Sequence, residues 1–229
     1  MAGMGQVGGD FAVLWDMDGV LVDSAPYHYR AWREALAAEG VDLDEASFRR
    51  TFGQRNDAII AALLGPAVPP ERVLAIGAAK EQRYRALVAQ EGIAPLPGTM
   101  SWLRQLHEGG IPQAVVSSAP LANITTVLAV IGAIDLFQAL VCGDDVARGK
   151  PDPESFLLAA QRLGMPPARC LVVEDAPAGV EAAHRAGMLC LALTTSHPRE
   201  ELQADLVLDS LAGLGEETFA EWIRTAMGR

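Results

Sequence analysis

Phe11–Trp15 (FAVLW) is an unbroken apolar run that stops at Asp16. Similar runs recur at Gln113–Val116, Cys170–Val173 and Leu189–Leu193, with a weaker one at Leu206–Leu208. Short apolar runs bounded by loops read as strands buried on both faces. Between them, apolar positions fall at helical spacing. Trp102, Leu103 and Leu106 follow Pro97-Gly98-Thr99, where Thr99 can cap; Leu121–Ile131 follows Pro120. Ser155–Leu163 follows Pro151-Asp152-Pro153, and Val180–Ala186 follows Pro177 and stops at Gly187. Strands alternating with helices predict an α/β fold with a parallel sheet covered on both faces.

Residues 25–95 break this rhythm, because they offer helical stretches and no convincing strand. The stretches lie near Tyr27–Glu39, Glu45–Phe52, Asn56–Leu64 and Glu71–Gln90, separated by Gly40, Gly53 and the breaker Gly65–Pro70. The pattern predicts an α/β core domain over residues 1–24 and 98–229, with a helical domain inserted over residues 25–97. Asp23-Ser24, just ahead of the insert, reads as a cap for its first helix.

Composition narrows the function. The 229 residues carry 18 basic and 29 acidic side chains, a net charge of −11, and half are hydrophobic. That hydrophobicity excludes a disordered chain. The acid excess argues against nucleic acid and anionic membrane surfaces as partners. Cys142, Cys170 and Cys190 form no CxxC or Cys/His spacing, so reduced thiols are expected. The opening MAGMGQVGGD lacks the basic and apolar regions of a secretion signal, and no apolar run approaches the roughly 18 residues of a membrane span. A cytoplasmic location is expected.

In open α/β sheets, ligands gather at the carboxyl ends of the strands. There the first run is followed by Asp16 and Asp18, the second by Ser117 and Ser118, and the third by Glu174 and Asp175, with Lys150 in a loop between. Four carboxylates in one cleft repel one another, so protonation or a cation is required. Oxygen ligands without Cys or His suit a hard cation, which points to Mg²⁺. One Mg²⁺ and Lys150 bring the site to about −1, and Ser117 with backbone amides can then share the charge of a phosphate. Two aspartates two residues apart can divide the labour. One attacks phosphorus to form an aspartyl-phosphate, and the other moves protons to the leaving oxygen and from water. Gly19 permits a tight backbone beside them.

These residues resemble the haloacid dehalogenase (HAD) superfamily of hydrolases, in the β-phosphoglucomutase-like phosphatase subgroup with a helical C1 cap. The DxDGxxxDS motif matches Asp16–Ser24, and the hydroxyl after a strand matches Ser117. The GKPxPxxF motif matches Gly149–Phe156, and the Glu-Asp-x-x-x-Gly motif matches Glu174–Gly179. The resemblance runs from Phe11 to about Leu214, and all four motifs occur in order. It implies a Rossmann-like core with an inserted cap and the activity of a Mg²⁺-dependent phosphatase. It casts Asp16 as nucleophile and Asp18 as acid/base, its backbone carbonyl on the metal. Ser117, the Ser118 amide and Lys150 would hold phosphate. Glu174 and Asp175 would complete the metal set with Asp16 and Asp18. The second aspartate also separates phosphoryl transfer from dehalogenation.

For the cap, the resemblance nominates His28, Trp32, Gly53, Gln54, Arg55, Asn56 and Lys80. Tyr27–Trp32 is similar to the matching helix of the β-phosphoglucomutases, and Lys80 begins a similar Lys-x-x-x-Tyr pattern. Plainer readings stand beside these. Trp32 suits a core, Lys80 a solvated helix face, and Arg55 a surface charge. His28 suits either Asp18 or simple packing. His107, His184 and His197 lack metal partners at ligand spacing, and Asp144 reads as a loop acid rather than an orienter of Lys150. Glu200-Glu201 and Glu216-Glu217 read as exposed helix acids. The mutases carry Lys-Asn after the second motif, whereas this chain has Ala119-Pro120-Leu121. That departure favours a phosphatase over a mutase, and the expected substrate is a small phosphorylated metabolite such as a sugar phosphate. Sugar phosphomutase is the alternative, and a receiver-like phospho-acceptor module a remote one. The sequence does not read out the oligomeric state; a monomer is favoured.

Overall fold

The computed structural model describes residues 11–215 together with residues 219, 222, 223, 225 and 226. The readings of the first ten residues and of Glu216-Glu217 lie outside the described residues. Six strands form one parallel sheet: β1 (Ala12–Trp15), β2 (Gln113–Val116), β3 (Ala139–Val141), β4 (Cys170–Glu174), β5 (Leu189–Leu193) and β6 (Leu206–Leu208). Their order is β3-β2-β1-β4-β5-β6. The chain runs outward from β1 through β2 to β3, then returns to β1's other side at β4. β1 is thus the switch point, and a crevice opens beyond its carboxyl end.

β3 is the strand absent from the sequence reading. It is three residues long, half-buried at two of them, and lies at the sheet edge. A run that short carries no period to read.

The alternation along β1 divides the core. Val13 and Trp15 face α5 (Thr99–Glu108) and α6 (Leu121–Val130), whereas Ala12 and Leu14 face α7 (Glu154–Leu163) and α8 (Pro177–Arg185). Between β1 and β2 come α1 (Ala25–Ala37), α2 (Glu45–Thr51), α3 (Asn56–Leu64) and α4 (Pro70–Glu91). Trp32, Leu36, Phe48, Ile59, Ile60 and Ile76 give these helices an apolar cluster separate from those flanking the sheet.

The outgoing and returning chain run side by side. Val22 bridges Pro95 antiparallel, and the Leu96 N–H donates to the Leu21 carbonyl at 2.9 Å. Thr99 does not cap α5, contrary to expectation. Gly98 takes the capping position at φ +88°, where a Cβ would overlap the Ala212 backbone. The freed Thr99 hydroxyl instead donates to the Val20 carbonyl at 3.2 Å, adding a tie at the base of the insert.

One buried side chain fastens β1 to β2. Gln113 accepts from the Trp15 indole at 3.0 Å and donates to the Leu103 carbonyl at 2.9 Å, at full burial. Gln113→Leu strands both groups, and a buried unpaired polar group costs about 1–3 kcal/mol. Urea unfolding should show a loss of about 3 kcal/mol. A loss below about 0.5 kcal/mol would contradict the role assigned to this bridge.

Candidate active site

Asp16 follows β1 and Glu174 ends β4, so adjacent parallel strands deliver both carboxylates to the same edge. The Asp16 N–H donates to the Val173 carbonyl at 2.9 Å, which sets this register. Lys150, from the loop ahead of α7, reaches both, lying 2.6 Å from Asp16 Oδ1 and 2.6 Å from Glu174 Oε1. It also lies 3.3 Å from the Val116 carbonyl at the end of β2. Asp144 is exposed and the Lys150 ammonium is oriented by Asp16 and Glu174, in line with the loop reading of Asp144.

Glu174 is clamped. One oxygen takes Lys150, and the other accepts the Asp175 and Ala176 N–H groups at 2.8 and 3.1 Å. A Cβ at Gly179 would fall on the Glu174 carboxylate, so the glycine of the fourth motif is a steric requirement. Gly19 works the same way, because at φ +78° a Cβ would overlap the Asp175 carboxylate.

Carboxylate oxygens of Asp16, Glu174 and Asp175 lie within 4.8 Å of one another, and all three residues are buried. Burial is the main reason the Asp16 carboxyl is pushed up to about 8; Lys150 opposes the shift, while Glu174 and Asp18 add to it. Burial likewise raises Asp175 well above its ordinary value, with Glu174 and Asp16 adding to it. Burial alone would lower Lys150, but Asp16 and Glu174 outweigh it and hold the ammonium above its ordinary value. An all-oxygen donor set with more negative charge than its one lysine can balance fits a hard divalent cation.

The Asp18 carboxylate turns the other way. It accepts from the Ser24 hydroxyl and lies 3.4 Å from His28 Nε2. Burial would raise it, yet the His28 and Ser24 contacts prevail and leave it below its ordinary value. Ser24 occupies the capping position of α1 without capping it, because its hydroxyl is spent on Asp18. That corrects the capping role read for Asp23-Ser24. His28 fulfils both of its readings, being near Asp18 and stacked on Tyr84 at 3.9 Å and 13°. Burial, then Lys80, lowers His28, so the neutral imidazole faces Asp18.

Ser117 is buried at the end of β2, where its N–H donates to the Val141 carbonyl and its hydroxyl accepts the Ala119 N–H at 3.1 Å. Ser118 is half-buried beside it, and Gly143 sits so close to the Ser118 carbonyl that a Cβ would not fit.

A cleft of about 550 Å³ separates this edge from the inserted helices. Each of the seven cap residues named from the sequence borders it. Trp32 is fully buried and serves as core as well as wall. Gly53, at φ +84°, and Gln54 lie exposed in the loop before α3. Arg55 is exposed at the start of α3, 3.7 Å from Asp57, and reaches the lining of a smaller pocket beside Ser117 and Lys150. Asn56 donates to Glu81 at 2.8 Å. Lys80 departs from its reading as a solvated residue. Its side chain is 3% exposed, 2.8 Å from Glu81, and held over the Trp32 and Tyr84 rings.

Sequence reasoning missed Thr195, Ser196 and His197. Thr195 donates to the Gly19 carbonyl, Ser196 hydrogen-bonds Asp175, and His197 Nδ1 lies 3.1 Å from the Asp175 carbonyl. They follow β5, so the strand-end rule applied to the fourth run, Leu189–Leu193, would have found them. His107 and His184 are exposed, and His184 lies 3.2 Å from Asp205. Glu200 and Glu201 are exposed, in a short 3₁₀ turn. Among the described residues, no helix is long and apolar enough to cross a membrane.

Known proteins with this arrangement are numerous. The haloacid dehalogenase-like hydrolase family model matches residues 12–187. Validoxylamine A 7'-phosphate phosphatase of Streptomyces hygroscopicus subsp. limoneus is 36% identical over 203 residues, covering 86% of this chain and 92% of that protein. Hexitol phosphatase A of Escherichia coli K12 is 37% identical over 201 residues, covering 86% of this chain and 90% of that protein. The crystal structure of β-phosphoglucomutase from Clostridium difficile superposes with a TM-score of 0.84 at 29% identity, over 95% of this chain and 99% of that one. Strand-end chemistry, fold and sequence agree, and the chain belongs to the haloacid dehalogenase-like hydrolases.

Proposed function

We propose that this chain is a phosphatase that removes phosphate from a small sugar-like metabolite through an aspartyl-phosphate on Asp16. One observation carries the reading. The Asp16 carboxylate is held by Lys150 at the switch point of the sheet, while Asp18, two residues on, faces the cleft through separate contacts. Named relatives act on phosphorylated sugar-type compounds, which supports the substrate class.

Asp16, Asp175 and the Asp18 backbone carbonyl would hold Mg²⁺, with Glu174 supporting them. When bound, the ion supplies positive charge against which phosphate and nucleophile can approach each other. The protein's own residues carry the remaining work. Lys150 neutralises Asp16 and the incoming phosphate. Ser117 and the Ser118 amide receive phosphoryl oxygens as charge develops on them. Asp16 attacks phosphorus, the leaving oxygen takes a proton from Asp18, and Asp18 then takes one from the water that releases phosphate. Asp18 is ionised in the geometry described here, the form needed for that second step. To act first as an acid it must leave Ser24 and His28 and carry a proton. The helices over residues 25–97 act as the cap domain, closing over the cleft and excluding water.

Sugar phosphomutase is the second reading, favoured by His28 and Arg55 at the cleft. A mutase must grip a second phosphate, and the residues that follow Ser118 here, Ala119 and Pro120, supply no cation. Given β-glucose 1-phosphate and a bisphosphate primer, the protein should release phosphate and form no glucose 6-phosphate. Accumulation of glucose 6-phosphate would establish the mutase instead.

Asp16→Asn should lower hydrolysis of p-nitrophenyl phosphate by about a thousandfold or more, with the fold retained. Residual activity within tenfold of the wild type would refute the nucleophile.

Stability should depend on pH in a stated sense. Without metal, folded Asp16 keeps its proton up to about pH 8, whereas the unfolded chain releases it near 3.8. Between those values the folded state binds more protons, so stability falls as pH rises. In a chelator, Tm should drop between about pH 5 and about pH 8, and Mg²⁺ should restore more at the higher pH. A Tm that rises over this window in chelator, or ignores Mg²⁺, would contradict the metal assignment.

A further inference from the structure

A second buried charge cluster lies across the cleft on α4. Lys80 Nζ is 2.8 Å from Glu81 Oε1, and the two side chains are 3% and 8% exposed. The same oxygen accepts Asn56 Nδ2 at 2.8 Å. The other oxygen accepts Asn123 Nδ2 from α6 of the core at 2.5 Å. Asn123 Oδ1 in turn accepts Arg85 Nη1 at 2.9 Å. Glu81 therefore collects a lysine and two amides, and Asn123 holds α4 at two points. Asn123 is fully buried, so the clasp excludes water where cap meets core.

The clasp sets the charge of the cleft wall. Lys80 would otherwise face the cleft as a cation, the feature that makes such a position attractive to a second phosphate. Here its charge is cancelled at hydrogen-bond distance, and its remaining surroundings are the Trp32 and Tyr84 rings. A second phosphate would also meet Glu81 itself, which lines the cleft together with Asp57 and Asp144. The Arg55 charge is shared with Asp57, 3.7 Å away, and Arg85, which also lines the cleft, is turned onto the Asn123 amide oxygen at 2.9 Å. The opposite wall adds Ala119 and Pro120, which carry no charge.

The structure assigns to Glu81 a specificity role: it neutralises Lys80 on the cleft wall and so selects against substrates bearing a second anionic group remote from the scissile phosphate. This rests on the phosphatase reading of the same cleft. Glu81 touches neither phosphate nor nucleophile. It acts through Lys80 and through the electrostatic potential of the cavity.

The test compares kcat/KM for fructose 1,6-bisphosphate and fructose 1-phosphate. Glu81→Gln removes one negative charge at nearly constant shape and should raise the bisphosphate-to-monophosphate ratio about tenfold, mainly through KM for the bisphosphate. Lys80→Met exposes the acid and should lower the ratio. The double variant should return close to the wild-type ratio, an outcome that general damage to the cap would not produce. An unchanged ratio in folded Glu81→Gln, or a raised one in Lys80→Met, would overturn the assignment. If Glu81→Gln does not fold, as judged by thermal melting, the sign of the Lys80→Met change decides alone. If the wild type turns over neither sugar phosphate nor p-nitrophenyl phosphate, the phosphatase reading fails by itself. The Glu81 assignment is then read from calorimetric Kd values for the two fructose phosphates, whose ratio must shift in the same directions.

Discussion

Three buried carboxylates around one lysine set the terms for the rest of this molecule. With an effective dielectric of about 20, two carboxylates about 5 Å apart repel by about 3 kcal/mol, and a contact ion pair returns about 6 kcal/mol. Lys150 makes two such pairs, with Asp16 and Glu174. The ion pairs return somewhat more than the three repulsions take, and the loss of water is set against that small surplus. Burial is accordingly the largest influence on both Asp16 and Asp175. A site built this way is costly without a cation, and the fold must hold it together by other means. Parallel pairing of β1 with β4 fixes Asp16 beside Glu174, and the Asp175 and Ala176 amides fix Glu174 itself. Gly19 and Gly179 leave room for side chains that any Cβ would displace.

The same constraint explains what was legible in the sequence. Asp16, Ser117 and Glu174 each follow or end a strand signalled by a continuous apolar run, so local pattern and site position coincide. Loop and insert residues are harder, because their partners are remote in the chain. Ser24 looked like a helix cap since that is what a serine before a helix does locally, yet Asp18 claims its hydroxyl. Lys80 looked solvated because lysines on helices are, yet Glu81, Trp32 and Tyr84 enclose it. Glu81 gave no signal at all, since the Asn123 that fixes it lies 42 residues away. β3 was hidden for the opposite reason: its neighbours define it, and its own three residues do not.

The two buried charge clusters face each other across one cleft and are balanced differently. At the strand ends, negative charge exceeds what Lys150 can offset, and the excess invites a cation and then a phosphate. On α4, Lys80 and Glu81 cancel, and the clasp turns Arg85 onto the Asn123 amide oxygen. On the proposed reading a single phosphate sits at one end, and at the other the charged side chains are mostly turned onto protein partners, as Lys80 is onto Glu81, Arg55 onto Asp57 and Arg85 onto Asn123. That asymmetry suits a reaction that ends when phosphate departs. A mutase needs comparable positive potential at both ends, because its intermediate must turn round and present its other phosphate to the same nucleophile. Loss of the mutase-like Lys-Asn pair after Ser118 and sequestration of Lys80 by Glu81 act on opposite walls of the cleft, yet both remove positive potential from the same end. Either change alone would weaken a second phosphate site. Together they explain how a chain so close in fold to a phosphomutase can be built for hydrolysis.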